Sequence, residues 1–319
     1  MAEPDAMGFN TAFRAMGGEG ALRLCGASPS QAARAAAAAR AEVHRIEAKY
    51  SRYVSDSVTG RLHAAAGQGW TPVDAETESL LNYADALWLQ SGGLFDITAG
   101  VLRHVWDFRS GRLPSPGSVQ QCVALVGWDR VQRRPGAVCL PTGMELDFGG
   151  IGKEYAADRA AAIAATLGIS HGWVNLGGDI AVIDPGPSAH TWHIGIAHPR
   201  PTHPGQLLAT LAMARGGLAT SGDSERFMVV DGRRYCHILN PHTGWPVAHW
   251  QSVSVVAASA TAAGSLSTIA MLKGPSAVAW LQAQHVQFLA VDFEGRVVHH
   301  HPHVDHPAGV PAVFSPFQA

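Results

Sequence analysis

Asp147-Phe148-Gly149-Gly150-Ile151-Gly152-Lys153 is a glycine-rich turn leading into a helical pattern, with a carboxylate at its start and an ammonium at its end. Such a turn exposes backbone N–H groups at a helix N-terminus, where the helix dipole favours an anion such as a phosphate. The same residues also suit an ordinary strand-to-helix turn with Asp147 as a cap, and residue types alone do not separate the two. A second region gathers Thr220, Ser221 and Asp223 in the turn ATSGDSERF, then places His237 in RYCHILNPHTGWPV, ahead of an Asn240–Gly244 turn. A histidine with an ordinary pKa near ~6.5 can move a proton at neutral pH; a core histidine with both ring nitrogens bonded is the alternative. In a third region, Ser252–Gly274, a strand runs into a helix start, and Thr261, Gly264 and Thr268 share one helix face at spacing i, i+3, i+7. Magnesium wants hard oxygen ligands, usually with at least one carboxylate, and this face offers only hydroxyls and carbonyls.

These segments need a scaffold. Ala-rich Ser30–Tyr50, with Ser30 as N-cap, reads as a helix, as do Ala75–Gln90 and Tyr155–Leu167. Ala21–Leu24, Trp173–Leu176, Trp192–Ile196, Leu207–Met213, Phe227–Val230, Val253–Ala257 and Phe288–Val291 read as strands. Asp231-Gly232 predicts a hairpin turn, and Pro185-Gly186-Pro187 another break. Val174–Ile180 (VNLGGDI) is a strand ending in Gly177-Gly178, either a structural turn or a loop lining a site. In the strand around His237, alternation points Cys236 the other way, into the core. Strands and helices mix without a regular βαβ alternation, so the expected class is α+β.

Composition narrows the function classes. With 319 residues, 47% hydrophobic and 15% charged, the chain can bury a sizeable core and is not of disordered type. A formal net charge of −2 gives no reason for a general nucleic-acid or anionic-membrane partner. No run approaches the ~20 apolar residues of a membrane helix. The N-terminal stretch has acidic residues and no apolar core of a leader, so a cytoplasmic location is expected. Four well-separated cysteines read as free thiols. Five of the seventeen histidines (His299, His300, His301, His303 and His306) cluster near the C-terminus and are expected in a solvated tail.

Taken together with GLFDITAG (Gly93–Gly100), the three regions occur in an order that resembles the ApbE family over Met16 to about Gly295. Members of that family are flavin transferases that move FMN from FAD onto a protein threonine or serine. The resemblance implies two packed α+β halves with the nucleotide in the cleft between them. It also implies one transferase domain over residues 11–298, an N-terminal tail over 1–10 and a His/Pro-rich tail over 299–319. The FAD contacts it implies are Met16 and Tyr53 against the rings, Leu94, Phe95 and Asp96 near the adenine end, and Asp147, Lys153 and Ile238. Asp96 would also cap the short helix after it. His237 becomes the base that deprotonates the acceptor hydroxyl, with Asp223 as a second catalytic candidate. Metal contacts fall on Gly150, through its carbonyl, and on Thr261 and Thr268.

One departure matters. The family's usual A-D-A-L-A-T segment reads Ala263-Gly264-Ser265-Leu266-Ser267-Thr268, so the threonine is kept and the aspartate is missing. Another acid (Asp179, Asp223 or Glu225) replaces it, or the FAD phosphates hold most of the metal, or the protein binds flavin without transferring it. If the gap is what weakens the metal site, Gly264→Asp should tighten magnesium binding. The expected function is an FAD:protein FMN transferase, with FAD as substrate, Mg2+ at a weakened site and a flavoprotein acceptor carrying a Ser/Thr-containing motif. The alternatives are an FAD-binding protein without transferase activity, or an FAD pyrophosphatase giving FMN and AMP.

Overall fold

The computed structural model describes residues 8–183, 191–302 and 314–316. Its helices are α1 (Pro29–Tyr50), α2 (Val58–Ala64), α3 (Ala75–Ser91), α4 (Pro116–Val123), α5 (Gly152–Thr166), α6 (Ala260–Lys273) and α7 (Ala277–Ala283). They pack around an eight-stranded sheet in the order Phe9–Ala15, Gly18–Cys25, His171–Leu176, Asp179–Ile183, Gly217–Gly222, Trp250–Ala257, Gln287–Asp292, Val297–His300. Every neighbouring pair is antiparallel. The class is α+β, as expected.

The central strands explain the layering. All five residues of Asp179–Ile183 are buried, because both faces of the sheet are covered. On one face Leu22, Leu24, Val174, Leu176, Ala181 and Ile183 meet α1, α5 and α6. Alanines at the α1–α5 contact (Ala35, Ala39, Ala157, Ala160, Ala164) are almost wholly buried, and their small side chains let the two axes approach closely. On the other face Ile180, Val182, Leu218, Leu289 and Val291 pack against a three-stranded sheet that includes Trp192–Ala197 and Leu207–Met213. The second half of the fold comprises α2, α3, α4, a 3-10 helix (Ile97–His104) and the small sheet of Thr71–Pro72, Ala137–Cys139 and Gln132–Arg134. The hairpin of Phe227–Val230 and Arg233–Cys236 leans on this half through Met228, Leu102 and Trp106.

The main departures from expectation are local. Ser28, not Ser30, caps α1 by accepting from the Gln31 N–H, because Pro29 fits the first helical position where no N–H is needed. The third helix starts at Gly152, three residues before Tyr155. His299 and His300 are paired strand residues opposite Leu289 and Phe288 rather than tail. Pro185-Gly186-Pro187, His303 and His306 lie outside the described residues. The four cysteines are free. Asp231 (φ 49°) and Gly232 (φ 74°) form the expected hairpin turn.

An ion-pair cluster ties the two halves at α1, α3 and α5. Glu76 accepts from Arg45 Nη2 (2.6 Å), Lys49 Nζ (2.5 Å) and the Tyr155 hydroxyl (2.9 Å). Arg45 chiefly, with Lys49 and Tyr155, lowers the Glu76 pKa to about 2. A depressed carboxylate stabilises the fold fully above its unfolded pKa of 4.5, and that contribution is lost as pH falls towards about 2. Glu76→Gln is therefore expected to cost on the order of 1–3 kcal/mol at pH 7 and to flatten the stability curve between pH 4.5 and 2. Urea unfolding of both proteins across that window measures this; parallel curves would show that the cluster is not pH-linked.

Candidate active-site cleft

Several loops converge at one end of the main sheet, because sheet register puts their turns side by side. The Met16-Gly17 turn (φ 55° and 74°) joins the first two strands, and the Gly177-Gly178 turn (φ 59° and 93°) joins the next two. Gly177 N–H donates to the Glu19 carbonyl at 2.9 Å, which locks the turns together. Thr220 N–H donates to Asp179 Oδ1 at 3.2 Å, so the 219–226 segment ends beside them.

The glycine-rich turn arrives from the helix side. Asp147 is not the cap of α5. It accepts from Gly149 N–H (2.8 Å) within the loop and ion-pairs with Arg52. Arg52 in turn lies 5.2 Å from the ring centroid of Tyr53, which is 77% exposed. α5 begins after Ile151 with no side-chain cap; Gly152 N–H already donates to the Phe148 carbonyl at 2.6 Å, so of the first turn the Lys153 and Glu154 N–H groups are the ones that could face an anion. A Cβ at Gly150 would lie 3.0 Å from the Phe95 ring, a tight fit that the ring would have to yield to by a few tenths of an ångström. Lys153 Nζ pairs with Asp179 Oδ2 at 2.7 Å and reaches within 3.7 Å of where a Gly177 Cβ would be. Burial alone would lower the Lys153 pKa, but the Asp179, Glu154 and Glu225 carboxylates outweigh it and raise it, keeping the ammonium charged.

His237 falls just beyond the strand end at Cys236. Cys236 is buried and His237 exposed, the opposite-facing arrangement that alternation requires. Burial pushes the Cys236 thiol up to about 11. His237 Nδ1 lies 3.2 Å from the Arg226 carbonyl. A carbonyl only accepts, so this bond assigns the proton to Nδ1 and leaves the Nε2 lone pair free. One edge of the ring reaches solvent, yet the packing around it is enough that desolvation lowers its pKa, helped by the Arg226 and Lys153 charges. At neutral pH the ring is an uncharged imidazole with a free acceptor nitrogen. Arg226 also lies near the Met16 turn, its Nη2 3.6 Å from a Gly17 Cβ position.

Other expected site residues sit differently. Asp96 is absorbed in structure: one oxygen takes the Thr98 N–H and hydroxyl (2.7 and 2.5 Å), the other the Trp128 N–H (3.0 Å). Asp96 also lines a surface cleft of about 620 Å³ with Trp88, Gly93 and His242. Phe95 is buried and Leu94 half-buried. Asp223 is 3% exposed and ion-pairs with Arg200 at 2.6 Å, which suits an anchor for the 222–226 turn. Ile238 is half-buried against the cluster around Trp250 and Phe288.

The helix face of Thr261, Gly264 and Thr268 meets three different partners. Thr261 donates its hydroxyl to Asp158 Oδ2 (2.5 Å), and Asp158 also accepts the Ala260 and Thr261 N–H groups, holding the start of α6. Thr268 lies 3.0 Å and Ser267 2.8 Å from Ser221 Oγ, a cluster of hydroxyls. At Gly264 the space is taken by Glu154: a Cβ would lie 2.5 Å from its Cγ and 2.8 Å from its Cδ and Oε1. Glu154 is 6% exposed and its Oε2 is buried without a hydrogen-bond partner. Burial first, then the nearby Asp179 carboxylate, push its carboxyl well above the usual carboxylate range. Among the described residues no three His, Cys, Asp or Glu side chains gather as a metal cluster. The donors here are the Glu154 carboxyl, with Oε2 unpartnered, the neighbouring Asp179 and several hydroxyls, a hard-oxygen set that fits a divalent cation such as magnesium, whose charge would favour the ionised form of Glu154.

Sequence reading missed Arg52, Arg226, Asp158 and Glu154. Glu154 stood in plain view inside the glycine-rich motif, and only its pairing with Gly264 across two helices gives it meaning.

Comparison with known proteins follows the same lines. The sequence profile of the ApbE family matches residues 9–291. The FAD:protein FMN transferase of Treponema pallidum is 31% identical over 240 residues, covering 69% of this chain and 66% of that protein. That of Haemophilus influenzae is 27% identical, covering 70% and 68%. The chain thus spans about two thirds of the length of these relatives. The ApbE protein of Thermotoga maritima superposes with a TM-score of 0.85 at 30% identity, covering 92% of this chain and 97% of that one. The apo flavinyl transferase ApbE of Pseudomonas stutzeri gives 0.77 at 26% identity, covering 92% and 94%.

Proposed function

Because the chain belongs to the ApbE family, we propose that it is an FAD:protein FMN transferase, moving FMN from FAD onto a Thr or Ser hydroxyl of a partner flavoprotein with release of AMP. What supports this is the nearness of His237 to Lys153, in the first turn of the uncapped α5, close enough for the ammonium to help lower the His237 pKa, with the His237 Nε2 free. The reaction needs charge neutralisation at a pyrophosphate, an aligned hydroxyl and a base. Lys153 and the α5 N–H groups meet the first need. His237 Nε2 takes the acceptor's hydroxyl proton as its oxygen bonds the FMN phosphorus, and the bond from that phosphorus to the bridging oxygen breaks, leaving AMP. Tyr53, backed by Arg52, offers an exposed aromatic face for stacking. By the same reading Met16, Phe95, Asp147 and Ile238 contribute further nucleotide contacts.

A divalent cation bound at the hydroxyl and carboxylate cluster would offset pyrophosphate charge, with Thr268 and the Gly150 carbonyl among its donors. Thr261 keeps its hydroxyl on Asp158 and supports the start of α6 instead. The acceptor carries a Ser/Thr-containing target motif. No helix among the described residues is long and apolar enough to cross a membrane.

The test is a mass-spectrometric transfer assay with FAD, with and without magnesium, and several acceptor flavoproteins carrying such a motif. A mass gain of one covalent FMN with AMP released is expected. FAD bound without any gain would instead make the protein a flavin binder. FMN and AMP appearing without acceptor would make it an FAD pyrophosphatase.

A further inference from the structure

We propose that Glu154 is a carboxylate ligand of a divalent cation, delivered from α5 into the space left by the missing side chain at Gly264. This deepens the transferase reading and rests on it for the expectation that a cation is needed beside a pyrophosphate. None of the three acids that the sequence offered as replacements is the one found there. Asp223 is held by Arg200 through Oδ2, and although its Oδ1 is also buried without a partner it is not among the atoms nearest Gly264; Asp179 is held by Lys153. Glu225 is exposed, on the 222–226 turn. Glu154 alone puts its Cδ within 2.8 Å of the place a residue-264 Cβ would take.

Three observations support the assignment independently. First, a side chain at Gly264 would collide with the Glu154 side chain, so the Glu154 carboxyl fills the volume that an acid at 264 would use. Second, Glu154 Oε2 is buried with no protein partner, and a buried carboxylate oxygen left unpaired is costly unless something else binds it. Third, hydroxyls lie at hand. Thr268 is one turn on from Gly264 along α6, and Ser267 donates to the Gly264 carbonyl at 3.0 Å while touching Ser221. A hydroxyl-only face binds magnesium weakly; one added carboxylate changes its class. Glu154 thus reaches from α5 into the volume that an acid at 264 on α6 would fill.

The experiment is Mn2+ binding to the full chain, followed by electron paramagnetic resonance with and without FAD, together with melting temperature. Glu154→Gln keeps the shape and removes the charge. It should weaken Mn2+ binding by about 10–100-fold with the fold intact. The double variant Glu154→Gly with Gly264→Asp should restore Mn2+ affinity to within a few fold of the parent. Glu154→Gln binding Mn2+ as tightly as the parent would overturn the assignment, as would a parent protein that binds no Mn2+ even with FAD present. Intact Mn2+ binding with no FMN transfer to any acceptor would sink the transferase reading and leave the ligand in place.

Discussion

His237→Ala should lower FMN transfer by about 10²–10⁴-fold, the range for loss of a positioned general base, while FAD binding changes by no more than a few fold. The expectation follows from how little else the ring does. Its Nδ1 bonds the Arg226 carbonyl and its other nitrogen is free, so removing it exposes no unpaired buried group and should barely move stability. The pH profile sharpens the test. Desolvation and the nearby Arg226 and Lys153 charges hold the His237 pKa below 6.5. The base form is the working form, so transfer by the parent should be level at neutral pH and fall as pH drops through that lowered pKa. That acid limb should vanish from the residual rate of His237→Ala. Transfer unchanged at pH 7, or an identical acid limb in the variant, would remove His237 from the role of base.

Gly264→Asp, the substitution that would restore the usual family residue, should destabilise the protein by roughly 2–5 kcal/mol. An aspartate Cβ would lie 2.5 Å from Glu154 Cγ, and Glu154 is too buried to swing aside. It would also add a carboxylate to a spot already holding Glu154 and Asp179. Replacing a helical glycine gains up to ~1 kcal/mol in propensity, too little to offset this. Adding Glu154→Gly should recover most of the loss, a coupling that a double-mutant cycle in urea reads directly. The expectation that aspartate at 264 alone tightens magnesium binding is therefore corrected, because the site has no room for both acids. Equal unfolding midpoints for the parent and Gly264→Asp would show that Glu154 can leave, and would weaken the packing argument.

Much was legible in the sequence. Alanine richness found α1, apolar spacing found α3 and short β-like runs found several of the strands, because propensity and spacing are local properties. The strands Phe9–Ala15, Asp179–Ile183, Gly217–Gly222 and Val297–His300 were among those missed; in Phe9–Ala15 and Gly217–Gly222 no continuous apolar run marks the strand, and Asp179–Ile183 follows directly on the Gly177-Gly178 turn. Asp231-Gly232 gave its hairpin, since a two-residue turn with both φ positive selects for such residues. The glycine-rich turn, Lys153 and His237 could be picked out by type and spacing. What each one does could not. Asp147 was open between helix cap and ligand contact, and the fold made it the partner of Arg52. Asp96 was given both roles, cap and ligand contact, and the Thr98 and Trp128 bonds show the capping half.

The sequence by itself determined the family-level pattern, the chemistry on offer and the absence of an acid at 264, because these depend on residue types and short spacings along one chain. Only the tertiary structure decided that another acid, Glu154, fills the space beside Gly264. Glu154 and Gly264 lie on different helices, far apart in the chain, and α5 and α6 bring them within contact only through the way both pack on the same face of the sheet. Side-chain volume is shared across such a contact, and no local pattern in either helix records what the other supplies.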